Sequence, residues 1–142
     1  METDACIFCA ILAGKSPASF VHQDNLVAAF MTIEPVNPGH ALIVPRQHVA
    51  RLHELDHKLA CRMSEVALGV EQALRRSQTP CDGVNLWLAD GSAAGQDVFH
   101  VHLHVIPRRA GDNRVRWTLP PKPSRQELDR LADALQAAYP KP

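Results

Sequence analysis

The stretch Gly95-Gln96-Asp97-Val98-Phe99-His100-Val101-His102-Leu103-His104-Val105-Ile106-Pro107-Arg108 places three histidines at every second position. That is the period of a β-strand, so a strand over Val98 to Ile106 is predicted to project His100, His102 and His104 to one side and Val101, Leu103 and Val105 to the other. Three protonated imidazoles in a row repel one another. At neutral pH some of them must be neutral, metal-bound or paired with an anion. A solvated polar face explains one such histidine better than three in strict alternation after a glycine-containing loop. Neutral imidazole attacks phosphorus through its free nitrogen without first losing a proton, and the resulting P–N bond is labile enough to be hydrolysed. Backbone N–H groups of the loop Gly91 to Gln96, where Gly91 and Gly95 permit close approach, are expected to hold nonbridging oxygens as charge builds.

Working outward, Phe20 to Gln23 and Leu26 to Thr32 read as two short strands about the turn Asp24-Asn25, followed by a loop with Pro35, Asn37, Pro38 and Gly39 and a third strand over His40 to Val44. From the N-cap Asp56, the apolar residues Leu59, Met63, Val66, Val70 and Leu74 recur at three and four, predicting one long helix to about Ser77. Val84 to Leu88 reads as a strand. Ser124 and Glu127 form a capping box for a last helix carrying Leu128, Leu131 and Leu135 until Pro140. The turns are too short for parallel crossovers. The order of elements therefore predicts an α+β fold with a mainly antiparallel sheet. Residues 1–112 are expected to form the main domain, and 113–142 a Pro-rich connection and a C-terminal helix packing on the same domain.

The chain has 142 residues and fits a single compact domain. Fifteen basic and fifteen acidic side chains leave no global field for long nucleic acid or an anionic membrane, so an anionic ligand must be held locally. The start lacks a basic, apolar secretory pattern, and no run is long enough to span a bilayer; the chain is expected to be cytoplasmic. In a reducing compartment Cys6 and Cys9, spaced C-x-x-C, read as a metal clip or a redox pair before a disulfide. Cys61 and Cys81 are expected to be small buried packing residues. His22, His53 and His57 are expected at the solvated surface, as is the basic cluster Arg108, Arg109, Arg114 and Arg116 around Asp112.

The string H-V-H-L-H-V-I preceded by A-G-Q resembles the histidine triad (HIT) family of nucleotide hydrolases and transferases. The resemblance runs from residue 4 to about 110 and includes Cys6-Ile7-Phe8-Cys9, Ala29 to Pro35, Pro38-Gly39-His40 and Pro45-Arg46-Gln47-His48. It implies a five-stranded, mainly antiparallel sheet with one long central helix and a C-terminal helix, in a homodimer. It further implies that His102 is the nucleophile forming a nucleotidyl-histidine on the α-phosphate, with His104 and Gln96 contacting the phosphate or leaving group and His40 beside the catalytic strand. Gly95 lies in the same substrate loop. Ile7, Phe8, Phe30 and Ile33 match nucleobase-pocket positions, although ordinary core explains the same residues equally well. Three positions depart from the family pattern. Thr32 stands where a ribose-binding Asp or Asn is usual, Ala89 replaces an Asn, and Asp97 occupies a position that is Ser in the phosphoramidase branch, so that specificity is not carried over.

A C-x-x-C pair cannot close a tetrahedral zinc shell alone. In zinc-containing members of the family, the remaining ligands map here to His48 and His100, giving a closed Cys6, Cys9, His48, His100 site and a structural zinc. Two other metal readings fail. His53-Glu54-Leu55-Asp56-His57 spells H-E-x-x-H, but the cap Asp56 leaves His53 outside the helix that the pattern needs. A cupin-type centre requires a carboxylate soon after the H-x-H pair, and none follows until Asp112. The expected activity is hydrolysis or nucleotidyl transfer at the α-phosphate of a nucleoside phosphate derivative such as a diadenosine polyphosphate. The competing reading is a nucleotide-binding or sensing module with little turnover. Trp117 and Pro120 to Pro123 are candidates for leaving-group contacts.

Overall fold

The structure, a computed structural model, describes residues 5–114 and 119–140; the first four residues, Arg116 and Trp117 lie outside the described residues. The chain divides into two units, Met1–Asp112 and Asn113–Pro142. The first contains α1 (Ile7–Leu12), β1 (Phe20–Gln23), β2 (Val27–Met31), β3 (Ala41–Pro45), α2 (His57–Arg76), β4 (Gly83–Trp87) and β5 (Leu103–Arg108); the second contains α3 (Arg125–Ala138). The five strands form one sheet in the order β1-β2-β3-β5-β4, and every neighbouring pair is antiparallel. The expected α+β fold is present.

The two central strands explain why their sequences are apolar at every position. Along β2 and β3 the side chains alternate, so Val27, Ala29, Ala41 and Ile43 meet Met63, Val66, Val70 and Leu74 of α2, while Ala28, Phe30, Leu42 and Val44 meet Phe8 and Ile11 of α1. Each strand is thus buried on both faces. β5 pairs with β3 so that Leu42 faces His104 and Ile43 faces Leu103, which puts His104 on the α1 face and Leu103 on the α2 face. His40, two residues before Leu42, precedes the same strand. A two-sided sheet therefore separates a wholly apolar layer under α2 from a layer in which histidines replace part of the core.

The helix α2 begins and ends where its sequence signals predict. Asp56 Oδ1 accepts the Lys58 N–H at 2.8 Å, and Ser77 follows the last turn. Cys61 differs from expectation. It lies two positions from both Leu59 and Met63, which are buried, so the helical period turns it to the opposite, exposed face. Cys81 is half-buried against the α2-side core, with its Sγ 3.4 Å from the Gly83 carbonyl. The capping box of α3 is also present, with Ser124 Oγ accepting the Glu127 N–H at 3.2 Å and Glu127 Oε2 accepting the Ser124 N–H at 2.8 Å.

Three local features depart from the sequence expectation. The short helix α1 has no side-chain N-cap and no acidic first turn, so tertiary contacts, among them the packing of Phe8 and Ile11 against the sheet, hold it. The last strand starts at Leu103 rather than Val98, because the segment before it bonds elsewhere: His100 N–H to the Val98 carbonyl at 2.9 Å, and Val101 N–H to the Val49 carbonyl at 2.7 Å. His100 and His102 consequently precede the ladder, and the three imidazoles do not form a plain row. His22 also differs from a free surface histidine. Its Nε2 is 2.8 Å from Asp24 Oδ2. Although burial would raise Asp24, hydrogen bonds from His22, Val27, Leu26 and Arg62 hold its carboxyl well below the usual carboxylate range.

Candidate active site and metal centre

Cys6 caps α1 and Cys9 lies in its first turn, so the C-x-x-C spacing turns both sulfurs toward the sheet. Cys6 Sγ is 3.5 Å from His100 Nδ1, and Cys9 Sγ is 3.6 Å from the same atom and 3.3 Å from His48 Nδ1. The donor atoms of Cys6, Cys9, His48 and His100 all lie within 4.8 Å of one another. The tautomer of His100 follows from its other nitrogen: Nε2 is 2.8 Å from the Pro45 carbonyl, which only accepts, so Nε2 carries the proton and Nδ1 offers a lone pair to the sulfurs. His48 Nε2 is buried without a hydrogen-bond partner. Burial and the adjacent Cys6 push the Cys9 thiol up to about 11, so a cation is what would draw its proton off. Two thiols and two lone-pair nitrogens converging on one point fit a closed tetrahedral metal site.

The remaining histidines form a second cluster whose proton positions also follow from fixed donors and acceptors. Val36 N–H donates to His40 Nδ1 at 3.0 Å, so the His40 proton is on Nε2 and is donated to His104 Nδ1 at 2.8 Å. His104 must then carry its own proton on Nε2. His102 Nδ1 donates to the His100 carbonyl at 2.8 Å, so in the neutral ring the lone pair is on Nε2. The rings of His102 and His104 are 5.0 Å apart. Burial lowers the pKa of His40. Burial, with His102 and His40 as neighbours, lowers His104 to about 4. At neutral pH these two rings are therefore neutral, as the tautomer chain requires.

Support for this cluster comes from residues that no sequence motif singled out. Asn37 Nδ2 donates to the Pro107 carbonyl at 3.0 Å and to Asp112 Oδ2 at 2.9 Å, and the Asn37 carbonyl accepts the His40 N–H at 3.1 Å. The loop before β3 is thereby tied to the end of β5. Arg108, expected at the solvated surface, joins the same knot: its Nε is 2.9 Å from Asp112 Oδ2 and its Nη1 is 2.8 Å from Asn85 Oδ1. Gly39 occupies φ +97°, and a Cβ there would lie 2.8 Å from Leu74 Cδ2 and 2.9 Å from Thr79 Cγ2. Asp90 anchors the following loop by accepting the Leu52 N–H at 3.0 Å and Arg51 Nε at 2.9 Å, which lowers its carboxyl pKa.

The structure distributes the other predicted residues unevenly. Gln96 is buried and its amide is fully used: Oε1 accepts the Gly91 N–H at 2.7 Å, and Nε2 donates to the carbonyls of Ala50 and Val98. Within the loop, Ala94 and Gln96 N–H groups bond to the Gly91 carbonyl and Gly95 N–H bonds to Ser92, so these amides and that of Gly91 serve the loop itself. Phe8 packs edge-on to His102, with centroids 5.1 Å apart, and to Phe30 at 5.6 Å. Phe20, the first residue of β1, continues the aromatic group, 5.9 Å from Phe30. Ile7 is half-exposed and Ile33 is 97% exposed, so neither is ordinary core. Thr32 Oγ1 accepts the Glu34 N–H at 3.2 Å. Asp97 Oδ1 lies 3.7 Å from His102 Nε2. The H-E-x-x-H pattern is divided as expected, with His53 in a 3₁₀ turn, Asp56 as the cap and His57 as the first residue of α2.

The HIT domain model matches residues 13–111. An uncharacterized HIT-like protein of Borreliella burgdorferi is 41% identical over 108 residues, covering 75% of this chain and 78% of that protein. An adenylylsulfatase of Arabidopsis thaliana is 34% identical over 107 residues, covering 75% of this chain and 54% of its own. An adenosine 5'-monophosphoramidase of Saccharomyces cerevisiae is 34% identical over 105 residues, with 74% and 63% covered. Among solved structures, a Zn-bound histidine triad family protein from Mycobacterium smegmatis superposes with a TM-score of 0.76 at 36% identity, covering 96% of each chain. A HIT family member from Bacillus subtilis superposes with a TM-score of 0.87 at 29% identity, covering 96% of this chain and 99% of that one. With its antiparallel sheet, its alternating histidines and a domain match over most of its length, this chain belongs to the HIT family.

Proposed function

We propose that the protein is a nucleotide hydrolase or nucleotidyl transferase that acts at the α-phosphate of a nucleoside phosphate derivative through a nucleotidyl-His102 intermediate. The observation that carries this reading is the tautomer of His102: donation from Nδ1 to the His100 carbonyl leaves the Nε2 lone pair free to attack. In the first step Nε2 forms a bond to phosphorus as the bond to the leaving group breaks; the leaving group departs with the electron pair and takes a proton from solvent. In the second step water attacks phosphorus, the P–N bond breaks, the pair returns to Nε2, and the nucleoside monophosphate and a proton are released. His104 Nε2–H, oriented by His40, donates to an oxygen of the transferred phosphate. This stabilises charge as it develops. Phe8 and Phe30 are assigned to the base-binding side, with Ile7, Ile33 and Thr32 at its margin and Gln96 and Gly95 shaping the phosphate loop. The names of the Arabidopsis and yeast relatives, a sulfatase and a phosphoramidase of adenylyl compounds, support a hydrolase of small nucleotides.

Cys6, Cys9, His48 and His100 would hold a structural zinc, whose charge would stabilise the two thiolates and tie α1 to the segment that carries His102. The further reading is of a cytoplasmic homodimer; no helix among the described residues is long and apolar enough to cross a membrane. Rapid quenching of the protein with adenosine 5'-phosphosulfate, a simple adenosine phosphoramidate or diadenosine tetraphosphate, followed by intact-mass measurement, tests the mechanism. A nucleotidyl increment that His102→Ala abolishes is expected. Binding of all three compounds with neither adduct nor turnover would favour the sensing module instead.

A further inference from the structure

Asp97 Oδ1 lies 3.7 Å from His102 Nε2, the lone-pair nitrogen of the site, while also accepting the Val98 N–H at 2.9 Å. The two side chains differ in exposure: His102 is 4% exposed and Asp97 79%. The carboxylate thus stands at the solvent rim of a buried nucleophile, and its backbone is held from the preceding residue by the three hydrogen bonds of Gln96. Any phosphorus that bonds to Nε2 has a full negative charge nearby, which acts on the charge carried by the group that leaves it. The charge is felt within the cluster too, where it opposes the downward push of burial on His104.

The geometry points to Asp97 as a specificity-determining residue that selects the leaving group by charge, disfavouring polyphosphate, sulfate or carboxylate-bearing groups and favouring neutral or cationic ones. This rests on the nucleotidyl-histidine reading above and narrows its substrate class. Two unit charges about 4 Å apart change a rate by about fivefold in water, and by several hundredfold at an effective dielectric constant of about 20. The exposed position of Asp97 places the expected effect nearer the lower figure.

The test uses two adenosine 5'-phosphoramidates with the same P–N bond and opposite charge on the departing amine, one made from ethylenediamine and one from glycine. The ratio of their kcat/KM values, cationic over anionic, is measured for wild type, Asp97→Asn, Asp97→Ser and Asp97→Glu. The ratio is expected to fall about fivefold or more in the Asn and Ser variants, to persist in the Glu variant, and to shrink with added salt in wild type. An unchanged ratio in an active protein, or an equal loss on both amides, would overturn this inference alone. Wild-type protein that turns over neither amide and forms no adduct would overturn the underlying reading, and this inference with it.

Discussion

His102 donates its Nδ1 proton to the backbone carbonyl of His100 across 2.8 Å, so a residue of the cysteine-histidine cluster sets the tautomer of the proposed nucleophile. The imidazole of His100 belongs to the cysteine cluster while its carbonyl belongs to the histidine cluster. The proposed metal site and the proposed nucleophile therefore share one residue. Displacing the His100 backbone would remove the acceptor that fixes this tautomer of His102.

Metal removal is accordingly expected to affect fold and activity together. Protein purified without added metal should contain close to one zinc per chain by elemental analysis, and a strong chelator should lower Tm and abolish adduct formation at the same concentration. Cys9→Ala should do both in the absence of chelator. Chelation that removes activity while Tm is unchanged would identify the metal as catalytic instead.

The His40 to His104 hydrogen bond predicts a kinetic effect separable from binding. His40→Ala leaves His104 Nδ1 without its donor and frees the ring to take the other tautomer. Loss of one oriented donor to a developing charge typically lowers kcat by about 10²- to 10³-fold. Steady-state kinetics should show that loss in kcat with little change in KM.

Acid stability follows from the lowered pKa of His104. In the folded protein this ring stays neutral to about pH 4, whereas in the unfolded chain it takes up a proton near the ordinary histidine value of about 6.5. The unfolded state thus binds more protons between these values. Stability is fully present above pH of about 6.5, falls as pH drops toward 4, and has no further slope from this group below that. His40, lowered in the same direction by burial, steepens the fall. Urea unfolding at pH 7, 6, 5 and 4 should show the decline, and His104→Asn should flatten it.

Gly39→Ala should be destabilising out of proportion to one methyl group. The backbone is at φ +97° and the new Cβ would lie 2.8 Å from Leu74 Cδ2, so conformational strain of about 1–3 kcal/mol adds to the clash. Because His40 is the next residue, kcat should fall with stability. Denaturant unfolding together with kinetics on the same sample checks both.

The elements visible in the sequence are those with a complete local signal. The α2 helix carries its cap Asp56, its apolar stripe and its stop at Ser77 in one continuous run, and structure and sequence agree to a residue. Helix α1 carries no such signal, because six residues without a side-chain cap have no helical stability of their own; its packing of Phe8 and Ile11 on the sheet is tertiary. Cys61 shows the opposite case. Its type suggested burial, while its position two residues from the core stripe decided exposure.

By itself the sequence determined which residue types stand near one another along the chain: the alternating histidines, the C-x-x-C pair, and the run of strands and helix that makes an antiparallel α+β domain. It could not determine which nitrogen of each imidazole carries the proton, because that depends on which donor or acceptor the fold brings to each ring, whether near in sequence or far. Pro45 selects the tautomer of His100, Val36 that of His40, and His40 in turn that of His104, 64 positions away. Nor could it show that the Gln96 amide is taken up by Gly91, Ala50 and Val98 or that Asp97 lies beside His102 Nε2. Hydrogen bonds are satisfied in space, and only the packed sheet brings these donors and acceptors within reach.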